Sequence, residues 1–305
     1  MENVTEKKEI NGGVLVPIIT PVDENENVDE KAFRAVIRHC IDAGVDGIFA
    51  GGSAGMGPLL ADDQWKRAME IARDEVAEQA GLAGGVIATS TRRALEKIDI
   101  LSRLDFPSMV VTPTYYIALT TEKEMLSHFS ACREATDMQM ITYNIPGCVQ
   151  STVPVSVIEY MAEKGWTNLI KESSGDRDYF LKVLDVCRRH SIGVMQGNEP
   201  DIEWGLKAGA AGIVPVCANY EPEAFVTAVE AAKQGDSQQL SETQEHISAV
   251  REVLLLGEEK NWIAGIMYGL STLGMGIGRP VRPIQELTKD QKAPIDQLKS
   301  TSTVF

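Results

Sequence analysis

Four histidines and five cysteines in 305 residues leave little material for metal or thiol chemistry. Cys40, Cys132, Cys148, Cys187 and Cys217 are odd in number and widely spaced, with no CxxC pair, so neither a disulfide framework nor a zinc site is indicated. Three of the four histidines (His39, His128, His190 and His246) fall in charge-rich helical segments, which gives a histidine triad or metal centre little support. Positive charge is also scarce, with 29 Lys and Arg against 44 Asp and Glu and a net charge of −15. That balance argues against nucleic acid and anionic membranes as partners. It also means that an acidic substrate must be received by a local positive field. No run approaches the roughly 18 apolar residues of a membrane span. Met1 to Ile10 lack the apolar stretch of a signal peptide. These absences predict a cytoplasmic protein.

What is present is an ordinary globular composition, 44% hydrophobic and 24% charged. Length alone is compatible with two domains, but single α/β barrels commonly run this long. Short apolar runs alternate with amphipathic stretches. Candidate strands are Val14–Ile19, Gly47–Ala50, Gly84–Ala88, Ser108–Val111, Met140–Tyr143, Leu169–Lys171, Gly193–Gln196 and Gly212–Val214. Between them Asp29-Glu30 opens a helix that stops at Gly44, Asp62-Asp63 opens one running to about Glu78, Thr91 caps a third and Thr121-Glu122 starts a fourth. Strands rich in Val, Ile and Leu without alternation, each followed by a helix, indicate a parallel sheet covered on its outer face. Eight β-α units by about residue 233 predict a closed (β/α)8 TIM barrel over 10–233. No GxGxxG follows the first strand, which weakens a dinucleotide reading. Residues 234–305 read as a helical appendage, and 1–9 as a mobile N-terminus.

The chemistry concentrates after the strands, where barrels of this type place their active sites. Lys171 ends the buried run Leu169-Ile170 and is followed by a polar Ser-Ser-Gly turn. A desolvated lysine has a lowered pKa, and its neutral amine can add to a carbonyl to give a Schiff base. Tyr143 ends a strand one β-α-β step earlier and is a plausible proton carrier. An isolated strand-end lysine more often snorkels to solvent or pairs with an acid. The other segments change that weighing. Gly51 to Pro58 holds four glycines whose exposed N–H groups suit a carboxylate or phosphate, although a plain β-α turn would use glycine too. Thr112-Pro113-Thr114-Tyr115-Tyr116 and Tyr143-Asn144-Ile145-Pro146 could be loop packing, and Asn198 could be a helix cap. A lysine, two tyrosine sites and an N–H-rich turn at the strand ends of one barrel form a far less accidental set.

In this order the motifs resemble the pyruvate-dependent Schiff-base aldolases and lyases of the dihydrodipicolinate synthase and N-acetylneuraminate lyase family. The similarity runs from Gly13 to about Leu298. Gly52-Ser53-Ala54-Gly55-Met56 resembles the family's glycine turn, Thr112 to Tyr115 its Thr-Pro-x-Tyr, Tyr143 to Pro146 its Tyr-Asn-x-Pro, and Lys171-Glu172-Ser173 its lysine segment. The resemblance implies that Lys171 forms an imine with pyruvate or another 2-oxo acid and that Tyr143 shuttles protons. It further implies that Ser53 relays from Tyr143 and that Tyr115 extends the relay, often from a neighbouring subunit. The Ser53 and Ala54 amides would hold the substrate carboxylate, with Ser173, Gly197, Glu199 and Val214 completing the substrate-binding set. No metal or organic cofactor is expected. The partners are small molecules, an oxo acid and an aldehyde, in a homotetramer built as a dimer of dimers.

Departures from the family pattern bear on substrate. Dihydrodipicolinate synthases carry an arginine two residues after the Tyr-Asn-x-Pro proline; this chain has Cys148, without a bidentate carboxylate partner. Sialic-acid lyases present two acids and a serine to the sugar hydroxyls. Glu199 matches one acid, whereas Pro200 and Val216 replace the other groups. Met56 replaces a customary glutamate, and Gly-Met-Gly-Pro looks most like aldolases for 2-keto-3-deoxy sugar acids. Ala54 lacks the second hydroxyl of the turn. The expected order is therefore sugar-acid aldolase, then dihydrodipicolinate synthase, then N-acetylneuraminate lyase. A degenerate oxo-acid-binding homologue is the non-enzymatic alternative.

Overall fold

The computed structural model describes residues 8–256 and 262–301, so the N-terminal expectation lies largely outside the described residues. Eight parallel strands close into a barrel: β1 Gly13–Pro17, β2 Gly47–Ala50, β3 Gly81–Val86, β4 Ser108–Val111, β5 Gln139–Asn144, β6 Leu169–Glu172, β7 Gly193–Gln196 and β8 Gly212–Ile213. Closure is made by β8 on β1, with Gly13 opposite Gly212 and Val14 opposite Ile213. Alternate residues of each strand divide between two buried layers. Leu15, Phe49, Val110, Ile141, Leu169 and Met195 fill the barrel, while Val14, Val16, Ile48, Met109, Ile170 and Val194 meet the surrounding helices. Burial on both faces explains why these strands read as unbroken apolar runs. Each such aliphatic side chain contributes about 1.5–3 kcal/mol relative to exposure. Ile10 packs with the interior layer, its amide and carbonyl both bonded to the Gln139 side chain at 3.1 and 2.8 Å.

The helix starts follow their capping chemistry. Asp29 accepts from the Ala32 amide at 3.0 Å, and Thr121 with Glu124 forms a reciprocal capping box. Three expectations are corrected. The third helix is capped by Ser90, which accepts from Arg93 N, while the Thr91 hydroxyl meets His128 Nδ1 at 3.0 Å. The strand placed at Gly84–Ala88 begins at Gly81, because Gly81 to Gly84 pair along β2 where a glycine-rich stretch resembles a turn. The helix from Asp62 ends at Val76, where Ala77 takes a left-handed φ of 46°.

The eighth barrel helix, Pro222–Gln234, is followed by helices Ser237–Leu254, Trp262–Thr272 and Lys289–Thr301. The first of these packs along Pro222–Gln234 through a stripe of Leu240, Thr243, Ile247, Val250 and Leu254. It also reaches the segment that follows β7. Among the described residues no helix is long and apolar enough to cross a membrane.

Candidate active site

Parallel register places Tyr143 of β5 directly beside Lys171 of β6. Both side chains belong to the inward set, above Ile141 and Leu169. The Lys171 amine lies 3.9 Å from the centroid of the Tyr143 ring and 5.2 Å from that of Phe49, which meets Tyr143 edge to face. No ion pair to Lys171 forms among the described residues. The lysine is 4% exposed, and burial lowers its ammonium from the usual 10.5 to about 7, with Cys148 and Glu199 acting weakly the other way. It is therefore neither a snorkelling nor a salt-bridged lysine, and much of it is a free amine at neutral pH. Burial pushes the Tyr143 phenol far above its ordinary value. The Ser173 and Ser53 hydroxyls approach it and partly offset that shift. Ser173 Oγ is buried with no well-aligned partner, so it remains available to an incoming group.

The residues behind the strands fix this pair. Asn144 and Glu172 follow Tyr143 and Lys171 and are themselves register partners. Asn144 Nδ2 donates to Glu172 Oε1 at 3.0 Å, Asn144 Oδ1 accepts from Val153 N, and Glu172 Oε1 also accepts from Ser174 N at 2.8 Å. Burial raises the Glu172 carboxyl, and these donors pull it back. The Tyr-Asn and Lys-Glu pairings of the sequence are thus one cavity-lining residue and one lock in each strand.

The glycine turn brings Ser53 and Ala54 to the same cavity, of about 320 Å³. Their amides donate to no protein acceptor among the described residues, which leaves two N–H groups for a carboxylate. The turn closes only around Gly57, where a Cβ would stand 1.9 Å from Gly51 O. Met56 beside it takes φ 55°, and its sulfur accepts from Val281 N at 3.5 Å, tying the turn to the C-terminal region. Gly197 is similarly constrained, since a Cβ there would lie 2.0 Å from Ser173 Oγ.

Lys171, Tyr143, Ser53, Ala54, Ser173, Gly197, Glu199 and Val214 all line this one cavity. Cys148 lines it too, an exposed residue whose thiol is partly desolvated and so held above its ordinary value. Tyr115 does not line the cavity of the single chain. It is half-buried after β4, where its amide donates to Ala88 O, and it is followed by Tyr116 and Ile117, which are 80% and 72% exposed. Asn198 stands at the start of a short 3-10 turn without capping it; its amide group donates to Asp201 Oδ2 at 2.6 Å.

One charged lining residue escaped the sequence reading. Arg251 reaches the cavity from helix Ser237–Leu254. Its Nε lies 3.3 Å from Glu199 Oε2, and Glu199 also accepts from Cys217 N at 2.7 Å and from Cys217 Sγ at 3.3 Å. Burial raises the Glu199 carboxyl, while these partners act against the rise. The available signal was a cation flanking the buried pair Val250 and Leu254 on a helix packed over the barrel mouth. Arg279 and Arg282, the other arginines able to replace the missing family cation, lie away from the cavity, paired with Glu286 and Glu26 at 2.7 Å each.

The family model described as "Dihydrodipicolinate synthetase family" matches residues 11–301. The chain belongs to that family. Among its relatives are an uncharacterized DapA-like lyase of Halobacterium salinarum, 27% identical over 93% of this chain and 91% of that one. A 4-hydroxy-tetrahydrodipicolinate synthase of Exiguobacterium sp. is 28% identical over 93% and 95%. In structure the chain is similar to a dihydrodipicolinate synthase crystal structure, with a TM-score of 0.88, 22% identity and coverage of 96% and 100%. It is also similar to YagE of E. coli K12, a protein of the same family crystallised with pyruvate, with a TM-score of 0.89, 19% identity and coverage of 95% and 98%. The family and its barrel fold are therefore those the motif order indicated, and the named relatives place the chain among lyases.

Proposed function

We propose that this family member is a class I lyase that makes or breaks a C–C bond of a 2-oxo acid through an imine on Lys171. The observation that carries the reading is a buried lysine amine, titrating near 7, stacked beside a tyrosine at the mouth of the barrel. The neutral amine adds to the ketone carbon, and water leaves as the imine forms. The protonated imine then accepts electrons, so a C3 proton can be removed to give an enamine, or the C3–C4 bond can break. Tyr143 hands protons to and from the substrate oxygens, with Ser53 next in the relay. The phenol's raised pKa keeps it protonated between transfers. The Ser53 and Ala54 amides receive the oxo-acid carboxylate. Catalytic roles for Lys171, Tyr143, Ser53 and Tyr115, and binding by Ser173, Gly197, Glu199 and Val214, belong to this reading.

For the second substrate, a sugar-acid aldolase is the leading reading and dihydrodipicolinate synthase the second. Cys148 offers no charge at the position where the synthases have arginine, and a charge-assisted hydrogen bond is worth about 1.5–3 kcal/mol, or roughly 10- to 100-fold in specificity. Aspartate semialdehyde, whose carboxylate would find no partner at the Cys148 position, should be condensed with pyruvate at a lower kcat/KM than short hydroxy aldehydes, as read by product analysis of matched reactions. A win for the semialdehyde would promote the synthase reading.

A further inference from the structure

We propose that Arg251 receives a second anionic group, a carboxylate at the end of the substrate remote from the imine, so that the preferred substrate is a hydroxylated 2-oxo diacid rather than a 2-oxo monoacid. This inference rests on the Lys171 imine reading and sharpens its substrate class.

The cavity lining contains two cations, Lys171 and Arg251. The Lys171 nitrogen is spent on the ketone carbon, and any charge it carries, as ammonium or as protonated imine, stays at that end of the substrate. Among the described residues Arg251 is thus the cavity's cation away from the imine, in a chain whose net charge is −15. Its guanidinium is held on one side only. Nε lies 3.3 Å from Glu199 Oε2, but the atom is buried and makes no aligned hydrogen bond, and neither terminal nitrogen has a partner among the described residues. Glu199 does not engage it as a fork: it approaches Nε through Oε2 alone, and its two oxygens also accept from Cys217 N and Cys217 Sγ. An arginine with its terminal N–H groups free in a partly dry pocket matches a carboxylate that can take two parallel hydrogen bonds.

The first carboxylate of the substrate does not need this group. The free amides of Ser53 and Ala54, next to the Lys171 and Tyr143 pair, already provide for it. Arg251 comes instead from outside the barrel, on helix Ser237–Leu254, and enters the cavity on the Glu199 side together with Leu255 and Trp262. Glu199 and Arg251 side by side offer one acceptor and one multiple donor. A hydroxyl adjacent to a terminal carboxylate would use both. Cys148 contributes no charge that would compete for the same anion.

Glyceraldehyde and tartronate semialdehyde form a test pair, since they differ only in a terminal CH2OH against a terminal carboxylate. Each is condensed with pyruvate by the full-length protein, and glyceraldehyde 3-phosphate is added as a third acceptor. The wild type should use tartronate semialdehyde about 10- to 100-fold better in kcat/KM than glyceraldehyde. Arg251→Leu should collapse that ratio toward one, chiefly through KM, and Arg251→Lys should restore part of it. Arg279→Leu, outside the cavity, should leave the ratio as it is. A ratio near one in the wild type, or one that survives Arg251→Leu, overturns the inference while the imine reading stands. A preference for the phosphate ester over the carboxylate overturns the diacid assignment. Absence of a borohydride-trapped pyruvyl adduct in the wild type overturns both readings together.

Discussion

Lys171 is charged in the unfolded chain at neutral pH, with an ordinary value of 10.5, but titrates near 7 in the fold. Between those values the unfolded state binds more protons, so stability rises with pH across that window. The unfavourable effect of the buried lysine is full below pH 7 and vanishes above about 10.5. At about 1.4 kcal/mol per pKa unit it is on the order of 4 kcal/mol near neutrality. Lys171→Met should therefore be more stable than the wild type by about 2–4 kcal/mol at pH 7, with the advantage shrinking toward pH 10. Urea midpoints at the two pH values measure this. A variant less stable at pH 7, or an advantage unchanged by pH, would contradict the assignment. Lys171 and Tyr143 were legible in the sequence because polar residues at the ends of apolar strands stand out against a parallel barrel's expected composition. Arg251 was not. On an amphipathic helix a cation beside the apolar stripe looks like any solvated flank, and only the docking of the helix over the barrel mouth gives it a role.

At the scale of elements, the site depends on two strands being held at one height. The lock between Asn144 and Glu172 does this on the outward side of β5 and β6. Asn144→Ala would leave a buried carboxylate short of a donor and the Val153 amide without its acceptor. A loss of about 1–3 kcal/mol in urea unfolding is expected, together with a fall in kcat as Lys171 and Tyr143 lose their fixed spacing. Unchanged stability and turnover would show that the lock is dispensable. Most elements could be read from apolar runs, first-turn acids and glycine stops. The exceptions share a cause: Gly81 to Gly85 belong to a strand whose small residues let neighbouring elements approach, since a Cβ on Gly84 would meet Leu101 and one on Gly85 would meet Gly51 O at 2.2 Å. Composition alone does not distinguish such a strand from a turn.

The whole molecule presents an acidic exterior and, after β4, an apolar outlier. Tyr116 and Ile117 are exposed, and Tyr116 is held at φ 77°, a conformation costing about 1–3 kcal/mol for a bulky residue. Such strain and exposure in one turn fit a surface that another copy would cover, as the tetramer with a shared Tyr115 implied by the family resemblance requires. Light scattering should give a mass several times the 33.3 kDa chain. A fully active monomer would remove Tyr115 from the relay. The expectation of an assembly comes from the family resemblance, since an exposed Tyr-Tyr-Ile turn by itself reads as loop packing.

The central claim, a Schiff base on Lys171, is tested most directly by reducing the protein with borohydride in the presence of pyruvate and measuring its intact mass and peptide map. One pyruvyl group should be added per chain, on the peptide containing Lys171, and none should be added to Lys171→Ala. Labelling that persists in Lys171→Ala, or a wild type that stays unmodified, would contradict the account.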